Sequence, residues 1–217
     1  CRILWHNTFV RKDFTNVENQ KIQECLKKKL SEKRYEHTIG VMYTSAALAM
    51  AHHGDVQKAM KAGLLHDCGK YGSAQEQVER CRKHGITLTE SEEKIPALAH
   101  AKLGAYFARE KYEVADKEIL DAILYHTTGR ADMSLMEKIL YVADYMEPGR
   151  KMIPGLEEIR YEAFHDLDKA VALATRGSIT YLEKQGRLID PASYETWKFY
   201  KLKADWGCRL DGSVLVR

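Results

Sequence analysis

The sequence has no apolar stretch near the ~18 to 20 residues that a bilayer span needs, and no basic-then-apolar segment at its start. Neither a membrane-spanning nor an exported protein is expected, and the cytoplasm is the expected compartment. The sequence also lacks a strong charge of either sign. Its 34 Lys and Arg stand against 31 Asp and Glu, a net charge of +3, and the basic residues are interleaved with acidic ones rather than gathered in a tract. That balance gives no support to a nucleic-acid binder. Five cysteines (Cys1, Cys25, Cys68, Cys81, Cys208) are odd in number and scattered, and they contain no Cys-x-x-Cys pair. They read as reduced thiols. Only four prolines occur, β-branched runs are scarce, and no repeat or low-complexity linker divides the chain.

What is present is enough for a sizeable core. A hydrophobic fraction of 45% over 217 residues excludes disorder as the main description and fits one large domain or one domain with an extension. The apolar residues recur at helical spacing almost everywhere, so the expected fold is all-α. Val56, Ala59, Met60, Gly63 and Leu64 form one stripe leading into His66 and Asp67. Pro96 suits the first turn of a helix carrying His100, Leu103, Gly104 and Phe107. Ile119, Ala122, Ile123 and His126 repeat the spacing before Thr127-Thr128-Gly129 ends the helix. Met133, Met136, Leu140 and Ala143 mark a helix whose buried stripe takes in Asp144, ended by Pro148 and Gly149. One helical pattern continues from about Leu156 to Lys184, and Asp190 and Pro191 cap and start a last helix through Trp197 and Tyr200. The polar segment Tyr71 to Lys94 reads as a solvated helix, with a cover over a site as the alternative. Residues 1–19 read as a leading segment or tail, 20–203 as the domain, and 204–217, where periodicity is lost from about Asp205, as a C-terminal tail.

Six polar residues fall on buried helix faces: His37, His66, Asp67, His100, His126 and Asp144. Any one buried histidine is more often a hydrogen-bonded core residue than a ligand, but six together make a metal-ligand inventory. Buried carboxylates are costly unless a cation compensates them, and no buried Lys or Arg stripe is available. Adjacent His66 and Asp67 can both reach one centre because termination of the helix frees the second side chain. Nitrogen and carboxylate donors without thiolate suit iron, manganese, cobalt or zinc, and six ligands suggest two metals with open positions. Two divalent ions bring four positive charges against two aspartates, which favours an anionic substrate and a deprotonated bound water.

The ordered set His37, His66-Asp67, His100, His126 and Asp144 resembles the H...HD...H...H...D signature of the HD-domain metal-dependent phosphohydrolases. The stretches Arg34 to Val41, Leu64 to Lys70, Tyr125 to Arg130 and Glu137 to Arg150 are similar to the YqeK family, over about residues 20 to 203. That resemblance implies a single HD-domain helical bundle with additional C-terminal helices. It also implies an iron-containing symmetrical bis(5'-nucleosyl)-tetraphosphatase that splits diadenosine tetraphosphate into two ADP by a metal-held hydroxide, and a homodimer. On the family pattern His37, His66, Asp67 and Asp144 hold one metal, while Asp67 bridges to a second held with His100 and His126. The alternatives are another HD-type nucleotide phosphohydrolase and a non-catalytic nucleotide-binding HD module, against which the intact six-residue set counts.

Asp67 and Lys70 are the residues expected to matter most for catalysis, with Lys70 facing phosphate in an H-D-x-x-K pattern. Arg150 and Arg130, ranked ahead of Arg34, and Thr127 are the further substrate-contact candidates, since guanidinium forks match phosphate oxygens. Thr127 and Thr128 are as well explained by capping. His52, His53 and His84 read as structural residues at helix ends, and Cys68 as turned away from the centre. The Lys27-Lys28-Lys29 run reads as a solvated face. No motif for a nucleobase is visible; Tyr71 and Tyr145 are aromatic candidates.

Overall fold

The structure, a computed structural model, describes residues 19–210, with side chains to residue 204. Within it the chain forms helices and no strand. They are α1 (19–29), α2 (Glu32–Ala51), α3 (Val56–Leu65), α4 (Ala74–Lys83), α5 (Glu90–Lys94), a 3-10 turn (Pro96–Leu98), α6 (Ala99–Tyr112), α7 (Lys117–Tyr125), α8 (Leu135–Met146), α9 (Leu156–Ala163), α10 (Leu167–Lys184) and α11 (Pro191–Leu210). None of the described helices is long and apolar enough to cross a membrane.

Most starts are written in the sequence as caps. Ser31, Asp55, Asp116 and Asp166 accept from backbone N–H groups of the first turns of α2, α3, α7 and α10. Ser73/Glu76, Thr89/Glu92 and Ser134/Glu137 form reciprocal capping boxes on α4, α5 and α8. Asp190 accepts from Ala192 N at 2.8 Å ahead of α11. Helix α2 packs against α3 and α8, α3 also meets α7 and α8, and α6 joins the set through α7. Leu26, Met42, Leu48, Leu64, Leu65, Leu103, Phe107, Ile123, Ile139 and Leu140 are fully enclosed between these helices. Helices α9, α10 and α11 add to this bundle, and the buried Tyr200 hydroxyl accepts from Met133 N at 2.7 Å, tying α11 to the segment before α8.

Four expectations change. The pattern from Leu156 to Lys184 is two helices, because the chain breaks at Phe164 and Asp166 caps a new start. Helix α11 continues past Asp205 to Leu210, so the first residues of the segment taken as a tail are helical; 1–18 and 211–217 lie outside the described residues. Tyr71 to Lys94 holds two short helices, and α4 buries Gln77, Val78 and Cys81 against the body of the protein. Pro96 opens a 3-10 turn that runs into α6 rather than the helix itself.

Candidate metal centre

Each of the six residues is delivered by a helix or its end. His37 lies in the second turn of α2, His100 in the first turn of α6, and Asp144 in the last turn of α8. His66 and His126 immediately follow α3 and α7, with Asp67 in the turn after His66. The last carbonyls of a helix have no intrahelical partner. Gly63 O and Ile123 O use this freedom to accept from His66 Nδ1 and His126 Nδ1, each at 2.7 Å, and Ala97 O accepts from His100 Nδ1 at 2.5 Å. With Nδ1–H committed in this way, each Nε2 turns a lone pair inward.

His37 sits inside a helix, where the neighbouring carbonyls are already bonded. Its Nδ1 donates instead to Glu147 Oε1 at 3.1 Å. Glu147, the residue after α8, is buried and also accepts from Gly149 N. Room for its carboxylate exists because position 40 is glycine: a Cβ there would lie 2.6 Å from Glu147 Oε2.

The inward atoms crowd in a way that hydrogen bonds do not satisfy. His100 Nε2 and His126 Nε2 lie 3.2 Å apart, and Asp67 Oδ1 is 3.4 Å from His100 Nε2 and 3.7 Å from His126 Nε2. His37 Nε2 approaches Asp144 Oδ1 at 2.9 Å, and His66 Nε2 lies 3.4 Å from Asp67 Oδ2. Yet His37 Nε2, His66 Nε2 and Asp67 Oδ1 are buried without a hydrogen-bond partner. Lone pairs facing one another in a buried space require a cation or protons between them. Among the described residues, three ligand groups meet the geometry for a cation: His37, His66 and Asp67; His66, His126 and Asp144; and Asp67, His100 and His126. Asp67 belongs to the first and the third, so the donor set fits two metals with a shared carboxylate.

The electrostatics agree. Burial pulls the Asp67 carboxyl up, but His66 and Lys70 overcome it and hold the group well below the usual carboxylate range. Asp144, where burial is likewise outweighed by His37, His66 and Arg150, is also held well below that range. Burial, then the positive charge of Lys70, pushes His100 down to about 3. A sign follows for the metal-free protein. The unfolded chain binds a proton at His100 near pH 6.5 and the folded one only near 3. Stability is therefore full above 6.5 and is lost as pH falls toward 3, by up to about 1.4 kcal/mol per pH unit. Urea denaturation at stepped pH checks this, and a His100→Gln variant should show a shallower slope.

Around the cluster, Arg34 Nη1 pairs with Asp67 Oδ2 at 2.9 Å, and Lys70 Nζ lies 3.4 Å from Asp67 Oδ1. Arg150 bonds both the backbone and the side chain of Asp144, at 2.7 and 3.0 Å from Nη2. Arg34, placed behind Arg150 and Arg130 in the sequence reading, also reaches a carboxylate of the cluster, since it lies one turn before His37 on the same face. Arg130 is engaged away from the cluster. Gly129, at φ +66°, turns the chain away, and Arg130 forms a two-pronged pair with the buried Glu137 at 2.9 Å for both bonds. Thr127 lines the cleft, and Cys68 Sγ points to Gly104 O, its thiol pushed up to about 12 by burial. His52 and His84 cap α2 and α4 as structural residues.

Glu147 is absent from the candidates that the sequence offers, yet it holds His37 in place. Its only sequence signal is its place three residues after Asp144, ahead of Pro148-Gly149. Both of its oxygens accept, one from His37 and one from Gly149. A Glu147→Gln amide would set a donor against one of them. Metal affinity is expected to fall about 10- to 100-fold, as for comparable partners of ligating histidines, measured by competition with a chromophoric chelator. Unchanged affinity would show that His37 needs no such partner.

Comparison with known proteins meets this geometry. The family model described as HD domain matches residues 34–149, which include all six residues. The chain is 39% identical over 181 residues to a symmetrical bis(5'-nucleosyl)-tetraphosphatase of Halalkalibacterium halodurans, covering 82% of this chain and 94% of that one. To the protein of the same name in Bacillus subtilis it is 38% identical over 177 residues, covering 81% and 93%. In fold it resembles a Clostridium acetobutylicum protein described as a predicted HD superfamily hydrolase involved in NAD metabolism, with a TM-score of 0.80 and 36% identity over 85% of this chain and 97% of that one. With a matched domain that spans the whole cluster and relatives aligned over nearly their full lengths, the chain belongs to the HD-domain family, among its YqeK-type members.

Proposed function

We propose that this protein hydrolyses dinucleoside polyphosphates, cleaving diadenosine tetraphosphate symmetrically into two ADP. The observation that carries this reading is the pair of donor groups sharing Asp67, beside a cleft of about 1260 Å³ into which His37, His126 and Asp144 of the cluster open. His37, His66, Asp67 and Asp144 would hold one divalent cation, and Asp67, His100 and His126 a second. Bound there, such ions lower the pKa of water toward neutrality and offset phosphoryl charge. The chain supplies the rest. Lys70 and Arg34, each about one-third exposed, stand between Asp67 and solvent, where they can hold phosphate oxygens and align the bridge for in-line attack. Arg150 covers the Asp144 side of the same opening. The nitrogen and oxygen donors support iron, with manganese, cobalt and zinc chemically compatible. A cytoplasmic homodimer completes the reading.

The test is to incubate anaerobically purified, iron- or manganese-loaded protein with diadenosine tetraphosphate and resolve the nucleotides by chromatography. ADP as the sole product is expected. ATP with AMP would place the cut elsewhere in the bridge, and no turnover with metal verified in the site would overturn the assignment of this substrate.

A further inference from the structure

The cleft extends well beyond the metal cluster. Gly40, Thr44 and Ala47 follow His37 along one face of α2, and all line it. From His37 to Ala47 is ten residues, or about 15 Å of helix. The far end is fixed by His52, whose Nε2 donates to Ala163 O at 2.6 Å and so draws Phe164, the break between α9 and α10, toward the C-terminal end of α2. The cleft changes character along this length. Arg34 and Arg150 line it beside His37 and Asp144, Lys151 and Arg160 also belong to its lining, and Tyr43, Ile153 and Phe164 supply its large exposed apolar side chains. These three are 61%, 45% and 44% exposed. Large apolar side chains held open to solvent along one cleft mark a ligand surface rather than a core.

A nucleoside diphosphate has the same polarity, with a dense anionic end and a flat, weakly polar base. We propose that the far end of the cleft, bounded by Tyr43, Ile153 and Phe164, is the nucleobase site for one half of the substrate, with Phe164 and Tyr43 as its stacking faces. This rests on the reading of the metal centre as a phosphoanhydride hydrolase, since it is the polyphosphate that links the two ends. It also separates the aromatic candidates. Tyr71 stacks on Phe107 with Arg80 over its ring, away from the cleft, while Tyr145 lines the cleft but is half-buried against α10. Stacking tolerates any base, so discrimination among purine nucleosides at this end is expected to be weak.

Calorimetric titration of the manganese-loaded protein with ADP and with pyrophosphate tests the proposal. Phe164→Ala and Tyr43→Ala should each weaken ADP by about tenfold while leaving pyrophosphate affinity unchanged, and Phe164→Tyr, which keeps a ring, should restore ADP binding. Unchanged ADP affinity in both alanine variants would overturn the site. So would a parallel loss of ADP and pyrophosphate, or a change of oligomeric state at unaltered ADP affinity, which would assign Phe164 to contact with a second copy of the chain. The product assay separates the two proposals. Wild-type protein that binds ADP through Phe164 yet leaves diadenosine tetraphosphate intact would sink the hydrolase reading and keep the nucleobase site. Wild-type protein that yields ADP, with variants of unaltered ADP affinity, would do the reverse.

Discussion

Asp67→Ala is expected to remove metal and turnover together. The side chain is about 1% exposed, and its two oxygens face His66, His100, His126, Arg34 and Lys70 within 3.7 Å. Because Asp67 belongs to two of the three donor groups, its loss weakens both proposed cation positions rather than one. The drop in activity should therefore exceed the roughly 10- to 100-fold typical of residues that only orient a ligand. The fold should survive. Arg34 and Lys70, each about one-third exposed, can turn to water when their partner is removed, which limits the cost of breaking the pair. A thermal measurement separates the two effects. Saturating metal at about a thousandfold over its Kd stabilises the folded state by about 4 kcal/mol, so a chelator should lower the Tm of the wild type by roughly 10 °C. The same chelator should leave the Tm of Asp67→Ala unmoved. Two bound metals per chain in the variant, or turnover within tenfold of wild type, would sink the shared-carboxylate centre.

Much of the centre could be read in advance because it is built from helix positions, and helix positions follow from apolar spacing. His66 and His126 come at the ends of stripes that the sequence displays openly, and each takes its orientation from a carbonyl three residues earlier. Asp144 rides in the last turn of α8 on the same logic. Glu147 could not be found this way. Its value comes from His37, 110 residues away, and from the space at Gly40, neither of which leaves a local pattern. Arg130 was hidden for a related reason, while Arg34 and Arg150 stand against Asp67 and Asp144. Distance along the chain ranked Arg130 high, but Gly129 reverses the direction of the backbone, and the buried Glu137 needed a cation. The break at Phe164 was hidden because apolar spacing continues on both sides of it; only Asp166, as a cap, announced the new helix.

The other large effect is expected at a residue with no side chain. Gly69 closes the turn that carries His66 and Asp67, and it is absent from the glycines at positive φ, so alanine could adopt its backbone conformation. What alanine lacks is space. A Cβ at position 69 would lie 2.7 Å from Gly104 N, 2.8 Å from His100 O and 3.1 Å from Gly104 Cα, all backbone of α6. Gly104 reciprocates, since its own Cβ would come 3.1 Å from His66 O. The two glycines thus let the turn rest directly on the helix that supplies His100. Restoring ordinary carbon contact of about 3.5 to 4 Å would push α6 away by roughly 1 Å. His100 would move off Asp67, while His37, His66 and Asp144, on other elements, would keep their places. If two cations are held as proposed, Gly69→Ala should therefore reduce metal content from two to one per chain and lower stability by about 1 to 3 kcal/mol, as overpacking does. Gly85→Ala is the control. Its φ is +68° and nothing lies within 4 Å, so it should cost about 1 kcal/mol from backbone strain alone and leave both metals bound. Metal analysis beside thermal denaturation of the two variants distinguishes a packing fault at the centre from a conformational one at the surface. A Gly69→Ala protein with two metals and wild-type Tm would show that α6 does not depend on this contact to present His100.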